Sequence, residues 1–287
     1  MTSSPIGLVG VGLLGTALSE RMLAAGHALV GFDLDPERLR QLPHVEAGDS
    51  AADVARRSRT IVLCLPDSLV VRSAVNDMGE ALAAGSLVID ATTGDPDDTV
   101  RLADELRQRQ VGYVDAAIAG SSQQVRRGEA VVLFGGEAAD VERAGPVLGA
   151  WSATRFHLGP SGSGARLKLV VNLVLGLNRA VLAEGLSLAE ACGISPSLAL
   201  EVLKATPARS AAMDTKGPKM VARDFAPEAR LSQHRKDVEL IRELARRHAA
   251  PTPLSDAHAN LLAQAAALGW GDADNCAILQ AYRNRRA

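Results

Sequence analysis

Gly10-Val11-Gly12-Leu13-Leu14-Gly15, set between an apolar run and a helical one, constrains the fold of this chain more than any other segment. Glycines at this spacing suit a tight passage from a buried strand into a helix. The first permits the turn, the second lets a pyrophosphate approach the backbone, and the third lets helix and strand pack closely. The helix N-terminus would offer free N–H groups and a positive dipole end to the phosphates. Alone the motif is a weak signal, and its surroundings strengthen it. Residues 6–11 read as the preceding strand, a helix runs to about Ala25, and residues 28–32 read as a second strand ending at Asp33. An acidic side chain there accepts hydrogen bonds from the adenosine ribose, which favours NAD over NADP. Arg38 and Arg40 follow on what reads as a solvated helix face, although a 2′-phosphate is an alternative partner.

The alternation continues. Strands are expected at 60–65, 86–90, 112–115 and 130–134, with helices at 97–109 and 138–148. Near-continuous apolar strands alternating with helices imply a mainly parallel, doubly wound Rossmann-type α/β sheet. Leu65-Pro66 and Asp90-Ala-Thr-Thr93 close strands at the carboxyl edge where such sheets bind ligands, yet turn-forming residues there are common in any fold. After Pro160 only helical periodicity remains, at 164–192, 197–204, 232–248, 253–268 and 272–283. The expected organisation is an NAD-binding domain over 1–160 and an all-α domain over 161–287 for substrate binding and dimerisation.

Composition narrows the partners. A net charge of −2 and 3% aromatic residues leave no basic stripe or stacking surface for nucleic acid. No apolar run reads as membrane-spanning, and no signal-peptide plan opens the chain. Cys64, Cys192 and Cys276 are too scattered for a disulfide framework or zinc site, so no metal is expected and a reducing cytoplasm is.

Gly162-Ser-Gly164-Ala-Arg-Leu-Lys168-Leu-Val-Val-Asn172 puts a lysine and an asparagine four residues apart, on one helix face, just after two glycines. By itself, Lys168 fits a snorkelling surface lysine. With the glycine fingerprint and Asp33, however, the segment resembles the catalytic motif of the β-hydroxyacid dehydrogenases, the family of 3-hydroxyisobutyrate dehydrogenase and tartronate semialdehyde reductase. The resemblance runs over essentially the whole chain. Leu14 stands where the family has methionine, Asp90-Ala-Thr-Thr93 matches its D-x-S-T segment with Thr92 replacing the serine, and Lys236-Asp237 matches its C-terminal Lys-Asp pair.

The resemblance implies hydride transfer between NAD(P) and a small 3-hydroxyacid or the matching semialdehyde. Lys168 would be the acid/base and Asn172 its partner. Gly10, Val11, Gly12, Leu13, Leu14, Gly15, Asp33, Leu65, Pro66, Thr93 and Lys236 would hold NAD. Partial burial is expected to lower the lysine pKa. One segment departs: the family's D-A-P-V-S-G-G reads Asp115-Ala-Ala-Ile-Ala119-Gly120-Ser121 here. Gly120, Ser121 and Ser122 are then expected to bind the substrate carboxylate, with Gln123 and Gln124 adding amides. Arg166, Arg209 and His234 are weaker candidates as anion partners and read mainly as structural. The altered loop keeps an imine-reductase-like enzyme open, and a non-catalytic NAD(P)-binding protein is the rival from another class. The helix at 164–192, apolar on several sides, is expected to be buried all round. The resemblance adds a homodimer or homotetramer through the helical domains.

Overall fold

The computed structural model describes residues 4–283. The chain divides into two compact units between Lys168 and Leu169.

The first unit is an α/β sheet. In chain order it contains β1 (Ile6–Val9), α1 (Leu13–Ala24), β2 (Leu29–Phe32), α2 (Pro36–Arg40), β3 (Val45–Ala47) and α3 (Ala51–Arg57). There follow β4 (Thr60–Leu63), α4 (Ser68–Met78), β5 (Leu87–Asp90), α5 (Pro96–Gln108), β6 (Gly112–Ala119), α6 (Ser122–Arg126), β7 (Val131–Gly136), α7 (Ala138–Trp151) and β8 (Arg155–His157). The strands form one eight-stranded sheet in the order β3-β2-β1-β4-β5-β6-β7-β8. All neighbours are parallel except β6 and β7. Chain order reverses between β1 and β4, the switch point where ligands bind in such sheets.

Successive strand residues face opposite layers. Leu8, Val62 and Ile89 pack with Leu18 and Met22 of α1 and Trp151 of α7. Val9, Ile61, Leu63 and Val88 pack with Val54, Val71, Val75 and Leu106 of α3, α4 and α5. Burial on both faces accounts for the continuous apolar strands. β3 and β8 are three-residue strands at the two sheet edges, and only Val45 among their residues is buried.

The helix α8 (Ser163–Ala191) contains the division between the units. The second unit continues with α9 (Pro196–Ala205), α10 (Ala211–Thr215), α11 (Gly217–Ala222), α12 (Leu231–Arg247), α13 (Pro253–Ala265) and α14 (Leu279–Arg283). Leu182, Leu186, Met220, Leu231, Val238, Leu262 and Ile278 form its core. The helix expected at 272–283 does not form as one piece. Buried Asp274 accepts from Cys276 N and from Lys216 Nζ, so a short 3-10 turn at Asn275–Ile278 precedes α14. Such a side chain competes with the helical ladder for backbone donors.

The long helix also departs from its expected burial. Leu169, Leu182, Ala183 and Leu186 are buried, but Val174, Val181 and Leu188 are 50%, 66% and 64% exposed. With Leu167 and Val170, also exposed, these residues are spaced by three, four, seven and seven and form an apolar stripe. By length and composition alone α8 is long and apolar enough to cross a membrane. Arg166, Lys168, Arg179 and Glu184 broke that run in the sequence.

Candidate active site

The carboxyl ends of β1, β2, β4, β5 and β6 lie on one edge of the sheet, because these strands are all parallel. Gly10 has φ +95°, and a Cβ there would collide with the Cys64 carbonyl oxygen. A Cβ at Gly15 would run into the Gly10 carbonyl oxygen, so that glycine sets the packing of α1 against the turn. Above Gly12 nothing stands within 4 Å. Gly12 is also the N-cap of α1 and brings no side-chain acceptor. The first N–H groups of this twelve-residue helix receive no side-chain cap from Gly12, which fits an anionic pyrophosphate.

Asp33 follows β2. Its Oδ2 accepts from Val11 N at 2.7 Å, its Oδ1 accepts from Asp35 N at 2.9 Å, and Arg38 Nη1 lies 3.4 Å from Oδ2. The acid thus ties the glycine turn to the end of β2. Leu13, Leu34 and Leu69 stand exposed at this edge, while Leu14 packs on the core. The ends of β4 and β5 are bound together, since Leu65 N donates to Thr92 Oγ1 at 3.0 Å. Asp90 Oδ1 accepts from Thr92 N, and Tyr113 Oη donates to Asp90 Oδ2 at 2.7 Å. Burial raises the pKa of the Asp90 carboxyl and of the Tyr113 hydroxyl. This buried pair shapes the turn that presents Pro66 and Thr93.

Past β6, Gly120 has φ +153° and its position is closed by Ala130, so only glycine suits the turn. Ser121 caps α6: Ser121 N donates to Gln124 Oε1 at 2.8 Å, and Ser121 Oγ accepts from Gln124 N at 3.3 Å. The backbone N–H of Ser121 and the carbonyl of Gln124 are thereby engaged within the loop.

The start of α8 is clamped to the same region. Asp115, paired with Asp90 across β5 and β6, accepts from Gly162 N at 2.7 Å and Ala165 N at 2.8 Å. A Cβ on Gly164 would press on Leu133 O and Asp115 Oδ2. Arg166 faces Asp97 at 3.4 Å. Lys168, only 8% exposed, lies in the second turn of this anchored helix. From sequence Asp115 was named only as the first residue of the altered loop segment, and its hold on the start of α8 was not expected; an acid within an apolar strand is the signal that could have found it.

Burial pushes the Asp115 carboxyl up to about 6, outweighing the two N–H donors and reinforced by Asp90. With a folded pKa above the unfolded one, its contribution is fully present below the ordinary aspartate pKa and is lost as pH rises through about 6. Urea unfolding from pH 4 to 7 should therefore show a decline from this group of about 2–3 kcal/mol. Asp115→Asn mimics the protonated form and should flatten that part of the profile. An unchanged slope would refute the account.

The second unit, taken by itself, holds another polar group. Asn172, also 8% exposed, donates through Nδ2 to Asp237 Oδ2 at 2.9 Å. Lys236 Nζ lies 3.4 Å from Asp237 Oδ1. Arg179 Nη2 donates to His234 Nε2 at 2.9 Å, and the His234 and His258 rings are 5.2 Å apart. Burial lowers Arg179 to about 10 and His258 to about 4. Arg209 pairs with Asp214 at 3.1 Å. Arg179 and His258 carried no sequence signal beyond being polar residues within apolar helical stretches.

Residues 5–159 match the family model for the NAD-binding domain of 6-phosphogluconate dehydrogenase. Residues 162–282 match the NAD-binding model of NADP-dependent 3-hydroxyisobutyrate dehydrogenase. 3-Sulfolactaldehyde reductase from Escherichia coli is 30% identical over 97% of this chain and 95% of its own length. The chain belongs to the β-hydroxyacid dehydrogenase family. Another relative, 2-(hydroxymethyl)glutarate dehydrogenase from Eubacterium barkeri, is 28% identical over 98% of this chain and 95% of its own. A solved 3-hydroxyisobutyrate dehydrogenase from Salmonella typhimurium superposes with a TM-score of 0.89 at 25% identity, covering 96% of this chain and 98% of that one. This β-hydroxyacid dehydrogenase is accordingly an NAD(P)-dependent oxidoreductase that transfers a hydride between the cofactor and a hydroxyacid or its carbonyl counterpart.

Proposed function

We propose that the enzyme interconverts a small 3-hydroxyacid and its semialdehyde, with NAD as cofactor and Lys168 as the acid/base. The observation that carries this reading is a buried lysine on a helix whose first turn is pinned by Asp115, level with the end of β5.

The open N-terminus of α1 would hold the pyrophosphate, Asp33 the adenosine ribose, and exposed Leu34 and Leu69 would cover apolar cofactor surface. Leu65, Pro66 and Thr93 line the same edge, and Lys236 would close over the cofactor. Bound there, the dinucleotide supplies or accepts the hydride. In reduction, an Nζ–H bond of Lys168 breaks as the new O–H bond forms. In oxidation, neutral Lys168 takes the hydroxyl proton back. Asn172 would hold the same oxygen by a hydrogen bond. Gly120 N–H, Ser122 and the Ser121 hydroxyl would bind the acid group, which fixes the distance from carboxylate to reacting carbon.

The names of the relatives support a small anionic substrate, and the changed loop supports a different anion contact from theirs. An NAD(H)-coupled assay over small 3-hydroxyacids and their semialdehydes tests the reading. Turnover of at least one of them is the expected result, and NAD(H) binding without turnover of any would overturn it.

We further propose a homodimer or homotetramer in a reducing cytoplasm. All three cysteines are free, and the stripe Val174, Val181 and Leu188 offers α8 an apolar seam for a second copy. Val174→Asp with Val181→Asp should shift the protein from the wild-type oligomer to monomer in light scattering. A wild-type protein that is already monomeric would rule the seam out.

A further inference from the structure

The backbone ladder between β4 and β5 reaches as far as Ala91 N, which donates to Leu63 O at 2.8 Å, and side-chain hydroxyls take over beyond it. Leu65 N, in the turn after β4, donates to Thr92 Oγ1 of the turn after β5 at 3.0 Å. Three residues on, the direction reverses, and Asp95 N donates at 2.7 Å to Ser68 Oγ, at the start of α4. Each segment thus gives one N–H and one hydroxyl to the other, and Pro66 and Thr93 stand between the two bonds. Gly94 allows this approach, since a Cβ there would collide with Ser68 Oγ. Thr92 is fixed from below as well. It is buried, its N–H donates to Asp90 Oδ1 at 2.9 Å, and Tyr113 Oη holds the other oxygen of that carboxylate.

Strand order decides which part of a dinucleotide these turns would meet. β2 lies on one side of β1, and β4 and β5 lie on the other. With the adenosine ribose at Asp33 and the pyrophosphate at the turn after β1, the nicotinamide half extends over the ends of β4 and β5.

We propose that Thr92 and Ser68 are positioning residues that lock the two turns into one clasp, so that Pro66 and Thr93 meet the nicotinamide half already ordered. This rests on the reading of Pro66 and Thr93 as cofactor contacts. Neither hydroxyl needs to touch the dinucleotide, because each acts by tying a backbone N–H of the opposite segment. A turn ordered beforehand spares the cofactor the cost of ordering it on binding. The clasp serves one half of the ligand only. The adenosine side rests on the Gly10–Gly15 turn and its separate bond from Val11 N to Asp33.

The test compares the whole cofactor with half of it. Isothermal titration with NADH reads both halves, whereas ADP lacks the nicotinamide riboside and reads the adenosine side alone. NADPH and 2′-phospho-ADP serve in their place if the enzyme prefers NADP. Thr92→Val keeps the shape of the side chain but leaves Leu65 N without its acceptor. It should weaken NADH about tenfold while ADP stays within about twofold. Ser68→Ala should weaken NADH by about threefold or more, again without ADP. Thr92→Ser restores the hydroxyl and should bind NADH within about twofold of wild type. A hydroxyl that only stabilised the fold would lower the melting temperature and leave both dissociation constants alone, or move them together.

Unchanged NADH affinity in folded Thr92→Val, an equal loss for ADP, or a Thr92→Ser no better than valine overturns the proposal. Should Thr92→Val not fold, Ser68→Ala decides by the same comparison, and equal effects on NADH and ADP there overturn it. Thr93→Trp, run alongside, separates the two readings, since an indole at that edge fills the space of the nicotinamide half. Wild-type NADH affinity in Thr93→Trp removes the contact reading itself. A Thr93→Trp that loses NADH but keeps ADP, beside a neutral Thr92→Val, removes only the clasp.

Discussion

Lys168→Ala is expected to lower turnover roughly 10³-fold, the scale of one well-placed acid/base, while the dissociation constant for NADH stays within about twofold. The asymmetry follows from where the parts come from. Apart from Lys236 of α12, the proposed dinucleotide contacts arise from the turns after β1, β2, β4 and β5, whereas Lys168 comes from α8. Removing its ammonium leaves the Gly10–Gly15 turn, the Asp33 tie and the open end of α1 as they are. Lys168→Arg sharpens the result. Arginine keeps the charge but does not release a proton at accessible pH, so it can steady an alkoxide without acting as a base. Arginine should therefore leave hydroxyacid oxidation as impaired as alanine does. If it restores oxidation, the lysine acts by charge alone; if alanine retains turnover, the lysine has no part in the chemistry. Stopped-flow hydride transfer and NADH titration on the same variants give both readouts.

The fold was legible wherever burial imposed a pattern. β1, α1 and β2 follow from the glycine turn and two apolar runs, and strands buried on both faces announce themselves as unbroken hydrophobic segments. β3 and β8 were not legible, because an exposed edge strand needs no apolar residue and carries no period. α8 misled in a different way. An apolar residue reads the same whether a neighbouring helix, another chain or solvent covers it, so Val174, Val181 and Leu188 looked like core.

The polar groups divide along a similar line. Glycines and Asp33 could be singled out because a turn restricts residue type locally, and Lys168 and Asn172 only because their segment resembles the family's motif. Asp115 closing the start of α8, Tyr113 on Asp90 and Asp237 on Asn172 are hydrogen bonds between residues 47, 23 and 65 positions apart in the chain, and such pairings exist only once the fold has formed. Ser121 is a case of local chemistry overlooked. Ser-x-x-Gln is a capping box, and it engages the Ser121 backbone N–H with Gln124 Oε1 and turns the Ser121 hydroxyl oxygen to Gln124 N.

Asp33 should control the choice of cofactor, and the expected effect is large. Its carboxylate accepts from Val11 N at 2.7 Å and stands 3.4 Å from Arg38 Nη1, so one side chain ties the glycine turn and restrains the nearest cation. A 2′-phosphate brought to this edge would meet the Asp33 charge, whereas a 2′-hydroxyl could donate to it. Asp33→Asn keeps an acceptor for Val11 N but removes the charge that holds Arg38. The ratio of kcat/KM for NAD to that for NADP should then fall about 100-fold, mostly through gain with NADP. Asp33→Ala also loses the tie to the turn, so efficiency with NAD should fall further while the gain with NADP is smaller. Adding Arg38→Ala to Asp33→Asn should cancel the gain, since the freed guanidinium is what would bind the phosphate. A wild-type enzyme that strongly prefers NADP would reverse the assignment: Arg38 would then bind the 2′-phosphate in the native protein, and Asp33 would serve mainly to hold the turn.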